Sequence, residues 1–346
     1  MPIALAGCGF MGAMHAQIYA QLPQTRLVAV ADRRVDAARS KLGRLGFPVP
    51  VYESLGELLK HHPEIAVVDI CTPADAHEAD AALALAGGKH VFCEKPLAPT
   101  IAAADRMVAQ AAAAVGFFQV GHCIRFWPEY QALREFVRAG RGGRLLSLSL
   151  QRQAGRPGYS DGDWLNQPAR SGGAALDLHI HDTDFVMALL GAPAAVTSRA
   201  TFDYSGPAHI FTLYDYPGVA VSAEGGWNYP EKWGFRMAFQ ALFEEACVDF
   251  DSGRSPTLTV TAAGREAEPL PFDVPASGRS AGGEGNIASL GGYFNELKYF
   301  VDRIVSGQAP AQATVADARN SLAVVLAEIE SARANRSVPI ALRGVA

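Results

Sequence analysis

The chain has 346 residues, 49% of them hydrophobic and 19% charged, so it is long enough for two cores and too apolar to be disordered. A net charge of −5 with no acidic tail gives no electrostatic reason to expect a nucleic-acid partner. The five cysteines are odd in number and form no CxxC pair, a usage that fits a reducing compartment and sets a cytoplasmic location as the expectation.

The first third alternates strand and helix signals. Ile3 to Cys8 is a short apolar run, followed by a helical pattern from Met11 to Leu22. Leu5-Ala6-Gly7-Cys8 superficially resembles a lipoprotein cleavage site, but only seven residues precede Cys8, too few for a basic region plus an apolar one. Arg26 to Ala31 is a buried strand, Val35 to Leu45 a helix, and Ser54-Leu55-Gly56-Glu57 a capping box. Ile65 to Cys71 is another strand, and Ala76 to Ala86 a helix closed by Gly87-Gly88. After the His90 strand, the alanine-rich stretch Ile101 to Val115 carries Asp105 and Arg106, so it is expected not to span a membrane. Gly116 to Val120 follows. Near-continuous apolar strands alternating with helices specify a doubly wound parallel sheet.

From about Gly121 the runs lengthen and alternate: Arg144 to Gln153, Ala194 to Tyr204, His209 to Tyr216, Val219 to Gly226, Arg236 to Ala241 and Leu258 to Thr261. Turn residues such as Tyr216-Pro217-Gly218 link them, predicting a large, mostly antiparallel sheet. Helical stretches at Gly173 to Leu190 and Leu290 to Val305 are expected to cover one face of it, with a third at Val315 to Ala334. Ala276 to Gly285 is read as a mobile loop. The expected organisation is residues 1–120 as a dinucleotide-binding domain and 121–346 as an α/β domain for substrate and oligomerisation.

Gly7-Cys8-Gly9-Phe10-Met11-Gly12 is a GxGxxG fingerprint with a strand ending at it and a helix beginning in it. Gly7 permits the tight turn, Gly9 admits a pyrophosphate and Gly12 allows close helix–strand packing. The helix N-terminus offers N–H groups to the phosphates. Asp32 lies 20 residues beyond Gly12, the spacing of a carboxylate that binds an adenosine ribose. It favours NAD, whereas Arg33 and Arg34 leave NADP open.

Two further motifs carry chemistry. Cys93-Glu94-Lys95-Pro96 sets a lysine at the carboxyl end of a buried strand, where parallel sheets bind ligands. In Asp177-Leu178-His179-Ile180-His181, Asp177 and His181 are i,i+4 and share a helical face, so the carboxylate can orient an imidazole that takes a hydroxyl proton. The HxH pair suggests a metal, but residues two apart on a helix point about 200° apart and there is no companion ligand motif, so none is expected.

Three segments together carry a resemblance: GCGFMGAMH at Gly7 to His15, the run from Cys71 to Ala98, and GGAALDLHIHDTDF at Gly172 to Phe185. With them the chain resembles the glucose–fructose oxidoreductase / inositol dehydrogenase / MocA-like family over nearly its whole length. The resemblance implies an N-terminal Rossmann domain and a C-terminal domain with a large open sheet. It implies nicotinamide-dependent oxidoreduction of a sugar, cyclitol or polyol, and a homodimer or homotetramer built on the sheet face. Lys95 corresponds to the family's EKP lysine, with Glu94 supporting the turn, and Asp177 and His181 to its D-x-x-x-H pair. Thr72 and Pro73 fall where the family's loop passes under the cofactor, and His77, at the start of the following helix, is a candidate either to contact the cofactor or to cap that helix. Arg125, Trp164, His179 and Tyr293 are candidates for substrate contact. Redox-neutral chemistry on tightly held NAD, and a non-catalytic nucleotide-binding regulator on the same fold, stay open at this point.

Overall fold

The computed structural model describes residues 1–273 and 291–342. Their contacts group into two compact units: Met1–Cys123, Tyr159–Gly162 and residues 291–319 in one, and Ile124–Gly158, residues 163–273 and residues 320–342 in the other. The predicted loop at Ala276 to Gly285 lies outside the described residues.

The first unit is built on six parallel strands, β1 (Pro2–Ala6), β2 (Arg26–Ala31), β3 (Val51–Tyr52), β4 (Val67–Ile70), β5 (His90–Glu94) and β6 (Phe118–Gly121), in the order β3-β2-β1-β4-β5-β6. That order reverses direction at β1 and β4, the switch point at which doubly wound sheets bind ligands. The crossovers are α1 (Phe10–Tyr19), α2 (Val35–Arg44), α3 (Leu55–His61), α4 (His77–Ala86) and α5 (Ile101–Ala113). Ser54 caps α3, its hydroxyl accepting from Glu57 N at 3.2 Å, and Thr100 caps α5 in the same way. β4 and β6 are buried throughout and β1 and β5 at all but their first residue, which is why they read as unbroken apolar runs.

The second unit opens with α6 (Pro128–Arg138), β7 (Leu145–Gly155), the short α7 (Pro168–Ser171) and α8 (Ile180–Leu190). The remaining strands are β8 (Ala195–Asp203), β9 (Gly206–Tyr216), β10 (Val219–Tyr229), β11 (Phe235–Phe243), β12 (Ala246–Asp251), β13 (Leu258–Ala262), β14 (Glu268–Pro269) and β15 (Val338–Pro339). They join β7 in a nine-stranded sheet ordered β14-β13-β12-β11-β7-β10-β9-β8-β15. All neighbouring pairs are antiparallel except β7 with β10, which run parallel. On β9 the alternation is plain: Ile210, Thr212 and Tyr214 are buried while Phe211 and Leu213 stay exposed, so one face is packed and the other open.

One expectation about the helices is overturned. The helix α9 (Gly291–Val305) does not cover the antiparallel sheet. Its apolar stripe of Phe294, Leu297, Phe300 and Val301 shares a core with Ile3, Leu5, Ile18 and Phe92, so it belongs to the parallel-sheet unit. A periodic stripe shows that a helix is half-buried and says nothing about which sheet receives it. The last helix, α10 (Val315–Ala334), begins in the first unit and runs into the second. Among the described residues no helix is long and apolar enough to cross a membrane.

Candidate functional site

In the parallel-sheet unit the fingerprint turn is fixed by backbone alone. Gly7 has φ +92° and donates to Ala31 O at 2.7 Å. A Cβ there would come within 2.7 Å of Cys71 O, so the position accepts only glycine. Gly12 is tighter still, since a Cβ would lie 2.0 Å from Gly7 O. Gly9, which caps α1, has no heavy atom within 4 Å of its would-be Cβ. The three glycines therefore divide as the fingerprint requires: two clamp the turn, and the third leaves its approach open beside the free N–H groups of α1. Phe10 and Met11 form the first turn of that helix.

Asp32, at the end of β2, accepts from Cys8 N at 2.8 Å and from Arg34 N at 2.8 Å. Its carboxylate is thereby aimed beside the fingerprint, with Arg33 exposed next to it. Lys41, which sequence reasoning missed, reaches from α2 to Gly9 O at 3.3 Å. Burial pushes the Cys8 thiol up to about 11 despite Lys41 nearby, so it is not a thiolate.

Lys95 follows β5 and enters a cis bond to Pro96. Its backbone N–H donates to Glu94 Oε2 at 3.1 Å. Gly121, next to Glu94 on β6, leaves room for that carboxylate, which would lie 3.1 Å from a Cβ. His77 joins this turn to the one after β4: its Nδ1 lies 3.0 Å from Pro96 O and its Nε2 2.8 Å from Thr72 O. Burial pulls its pKa below the ordinary value, against the two carbonyl acceptors, which favour the protonated ring. Thr72 Oγ1 donates to Asp80 at 2.9 Å, and Pro73 follows it at the start of the turn into α4.

Behind the EKP turn lies a buried polar cluster that the motif GCGFMGAMH contained but did not explain. His15 Nδ1 lies 2.8 Å from Asp69 Oδ2, and its Nε2 3.3 Å from Glu94 Oε1. Burial alone would lower the His15 pKa, but Asp69 and Cys71 outweigh it and hold the ring well above its ordinary value. A histidine set between two carboxylates thus links the fingerprint helix to the EKP strand. His15 with Asp69 and Cys71, and His15 with Glu94 and Glu296, are the two groups close enough for metal ligation among the described residues. Tyr293, on α9, is in this unit; burial raises its hydroxyl pKa, with Cys123 and Glu94 adding to the effect.

The remaining candidates are in the second unit. Ala175–His179 forms a π-helical turn leading into α8 at Ile180, so Asp177 and His181 share a wider turn than the α-helix expected from their spacing. His181 is buried and Asp177 partly exposed. His179 is fully buried, its Nε2 2.9 Å from Glu328 Oε2, and Tyr214 OH lies 3.4 Å away. The start of α8 is then tied down residue by residue. Asp182 takes Arg152 at 2.8 and 2.9 Å, and Asp184 takes Arg125 at 2.7 and 2.8 Å. Arg125 is 7% exposed, so its guanidinium is committed to a buried ion pair. Trp164 is partly buried against Ala154, Leu165, Ala174, Ala208 and Trp227, with Arg170 at 6.0 Å from its ring. Glu328 and Tyr214 carried no sequence signal, because their partners are distant in the chain, whereas Asp184 lay within the GGAALDLHIHDTDF segment without being singled out.

Comparison with known proteins agrees with this geometry. A family model described as an oxidoreductase family with an NAD-binding Rossmann fold (GFO_IDH_MocA) matches residues 1–122, and the C-terminal domain model of the same family matches 130–261. An inositol 2-dehydrogenase of Rhizobium meliloti is 32% identical over 200 residues, 57% of each chain. An inositol 2-dehydrogenase of Saccharopolyspora erythraea is 28% identical, covering 98% of this chain and 95% of its own. A solved levoglucosan dehydrogenase in complex with NADH and levoglucosan shares the fold, with 23% identity, TM-score 0.82, and 98% and 99% of the two chains covered. The chain aligns with less than two thirds of the length of the relatives matched at 30–32% identity: 57%, 62% and 55%. Both domain models, in the order and at the positions of the two sheets, show that the chain belongs to the Gfo/Idh/MocA oxidoreductase family.

Proposed function

We propose that the protein is an NAD-dependent dehydrogenase acting on a CH–OH group of a sugar, cyclitol or related polyol. The observation that carries this reading is the fingerprint turn: Gly7 and Gly12 clamp it, Gly9 is unobstructed, and Asp32 is hydrogen-bonded beside it. Gly7, Gly9, Gly12 and the N–H groups at Phe10 and Met11 would hold the pyrophosphate. Asp32 would hold the adenosine ribose and repel a 2′-phosphate, which favours NAD over NADP although Arg33 is adjacent. Thr72, Pro73 and Glu94 line the turns nearest the nicotinamide end. When bound, the nicotinamide supplies the hydride acceptor. Lys95 donates a hydrogen bond to the reacting oxygen and stabilises the charge that builds there. His181 takes the hydroxyl proton on a ring nitrogen as the C–O bond becomes C=O, and Asp177 orients that ring. The names of the relatives, which include inositol, D-glucoside and levoglucosan dehydrogenases, support the substrate class.

The test is to incubate the purified protein with NAD⁺ and myo-inositol, levoglucosan or methyl D-glucoside, following bulk NADH. Accumulating NADH supports net oxidation, whereas product without bulk NADH supports redox-neutral chemistry. Absence of both, together with absence of NADH binding, refutes the assignment. Full activity in Lys95→Ala would remove Lys95 from the mechanism. We further propose a homodimer or homotetramer using the open sheet face, where Phe211 and Leu213 are 52% and 62% exposed. A monomer in multi-angle light scattering refutes that. The free cysteines Cys8, Cys71, Cys93, Cys123 and Cys247 support a reducing, cytoplasmic setting.

A further inference from the structure

His179 sits between the two residues assigned to proton transfer, yet its side chain goes elsewhere. Its Nε2 lies 2.9 Å from Glu328 Oε2 on α10, an ion-pair contact without hydrogen-bond alignment, both side chains being fully buried. Glu328 Oε1 in turn accepts from Thr183 Oγ1 at 3.1 Å, and Thr183 pairs with Tyr214 OH at 2.9 Å. Tyr214 OH lies 3.4 Å from His179 Nε2. Four side chains from the π-helical turn, α8, α10 and β9 therefore form one buried polar cluster, linked by three hydrogen bonds and the His179–Glu328 ion pair.

The sheet is shaped to receive this histidine. A Cβ at Gly225 on β10 would lie 2.7 Å from His179 Cβ and 2.8 Å from its Nδ1, so the imidazole rests on bare strand. Its Nδ1 and the facing Glu328 Oε2 have no hydrogen-bond partner among the described residues, a cost that apolar side chains of similar size would avoid. The π-helical turn is itself a rare conformation that tends to occur at functional sites. A buried polar side chain that carries a cost, pairs with a distant carboxylate and anchors an unusual turn is explained by what that turn presents.

We propose that His179 is a positioning residue: its strut to Glu328 and its seat on Gly225 fix the π-helical turn, and so the orientation of Asp177 and His181. This rests on the reading of His181 as the acid/base. His179 also has a different role from that of a substrate contact or a metal ligand, since its ring is directed into the buried cluster of side chains.

The experiment uses isotope-labelled histidine NMR on the full chain, with His181 assigned by its loss in His181→Asn, so that no substrate is required. In His179→Leu the His181 titration midpoint is expected to move by about half a pH unit, a roughly threefold change in its protonation equilibrium. NADH affinity should stay unchanged. His179→Gln, which keeps a donor to Glu328, should stay close to wild type, and Glu328→Gln should move His181 in the direction His179→Leu does. Where turnover is measured, His179→Leu should lower kcat by about ten- to a hundredfold, the cost of misplacing a reacting group. A His181 titration that superimposes on wild type in both His179→Leu and Glu328→Gln overturns the proposal. If His179→Leu fails to fold, Glu328→Gln alone decides by the same criterion. Full activity in His181→Asn would instead sink the acid/base reading, and is distinguishable because it leaves the titration result standing.

Discussion

Gly9 and Gly12 look alike in the fingerprint, but the structure separates what an added methyl would do at each. At Gly12 the new Cβ would lie 2.0 Å from Gly7 O and 3.0 Å from Gly7 C, both backbone atoms. Contacts under 3.0 Å are not tolerated by real Cβ atoms, so either α1 or the turn has to move by about an ångström. The turn resists because Gly7 donates to Ala31 O at 2.7 Å and itself packs on Cys71. Overpacking of this kind costs about 1–3 kcal/mol, and alanine's better helix propensity returns at most about 1. Gly12→Ala should therefore melt a few degrees lower and bind NADH more weakly, because the displaced turn is the phosphate cradle. Gly9→Ala meets nothing within 4 Å, so its stability should fall by no more than about 1 kcal/mol from the poorer cap. Its NADH affinity should nonetheless drop by at least about tenfold, since the methyl occupies the pyrophosphate's approach. Thermal unfolding paired with NADH fluorescence titration separates the two effects. Wild-type melting and affinity in Gly12→Ala, or undiminished NADH affinity in Gly9→Ala, would refute the account of the turn.

Three other outcomes follow from buried pairs. His15 has a raised pKa in the folded state, so its contribution to stability is complete below about pH 6.5 and is lost as pH rises through the folded value. The stability gap between wild type and His15→Asn should narrow from about pH 6 to pH 10 in denaturant titrations, and a gap that widens contradicts the raised pKa. Arg152→Met strands the Asp182 carboxylate, which is 0% exposed, and should cost about 3–5 kcal/mol, most of it recovered in Arg152→Met/Asp182→Asn. A loss below about 1 kcal/mol would mark the pair as inert. His77→Leu removes the clip between Thr72 O and Pro96 O, and should lower kcat by about ten- to a hundredfold, with His77→Gln retaining more. Equal kcat in both variants and wild type would show that the Lys95 turn needs no such support.

The parallel sheet was legible apart from β3 because its longer strands are largely buried and caps or glycine stops punctuate α3, α4 and α5, so local chemistry and global position agree. The D-x-x-x-H spacing identified the turn but not its conformation. The residues that His179 meets from this turn, Glu328 and Gly225, are remote in sequence, so the spacing carried no trace of them. The same limit explains α9: Phe294, Leu297, Phe300 and Val301 announce an apolar stripe, and only the fold assigns it to the parallel sheet. Arg125 was recognisable as a lone basic residue after a strand, while Asp184, which neutralises it, lies 59 positions away. The short strands β3, β14 and β15, each of two residues, have too little length to show any periodicity.

The two consecutive glycines of β10 have a consequence for how variation can spread through the second unit. Gly225 lies beneath His179 on the packed face, and Gly226 lies beneath His209, whose ring would be 2.6 Å from an added Cβ. His209 belongs to the open face, where it meets Glu224 at 3.0 Å. A single peptide group therefore serves as the floor for two imidazoles on opposite sides of one sheet. The strand at this point has no side chain of its own to absorb a disturbance. A side chain at Gly225 would press on His179 and one at Gly226 on His209, so neighbouring positions of one strand are each held to glycine by a different face of the sheet.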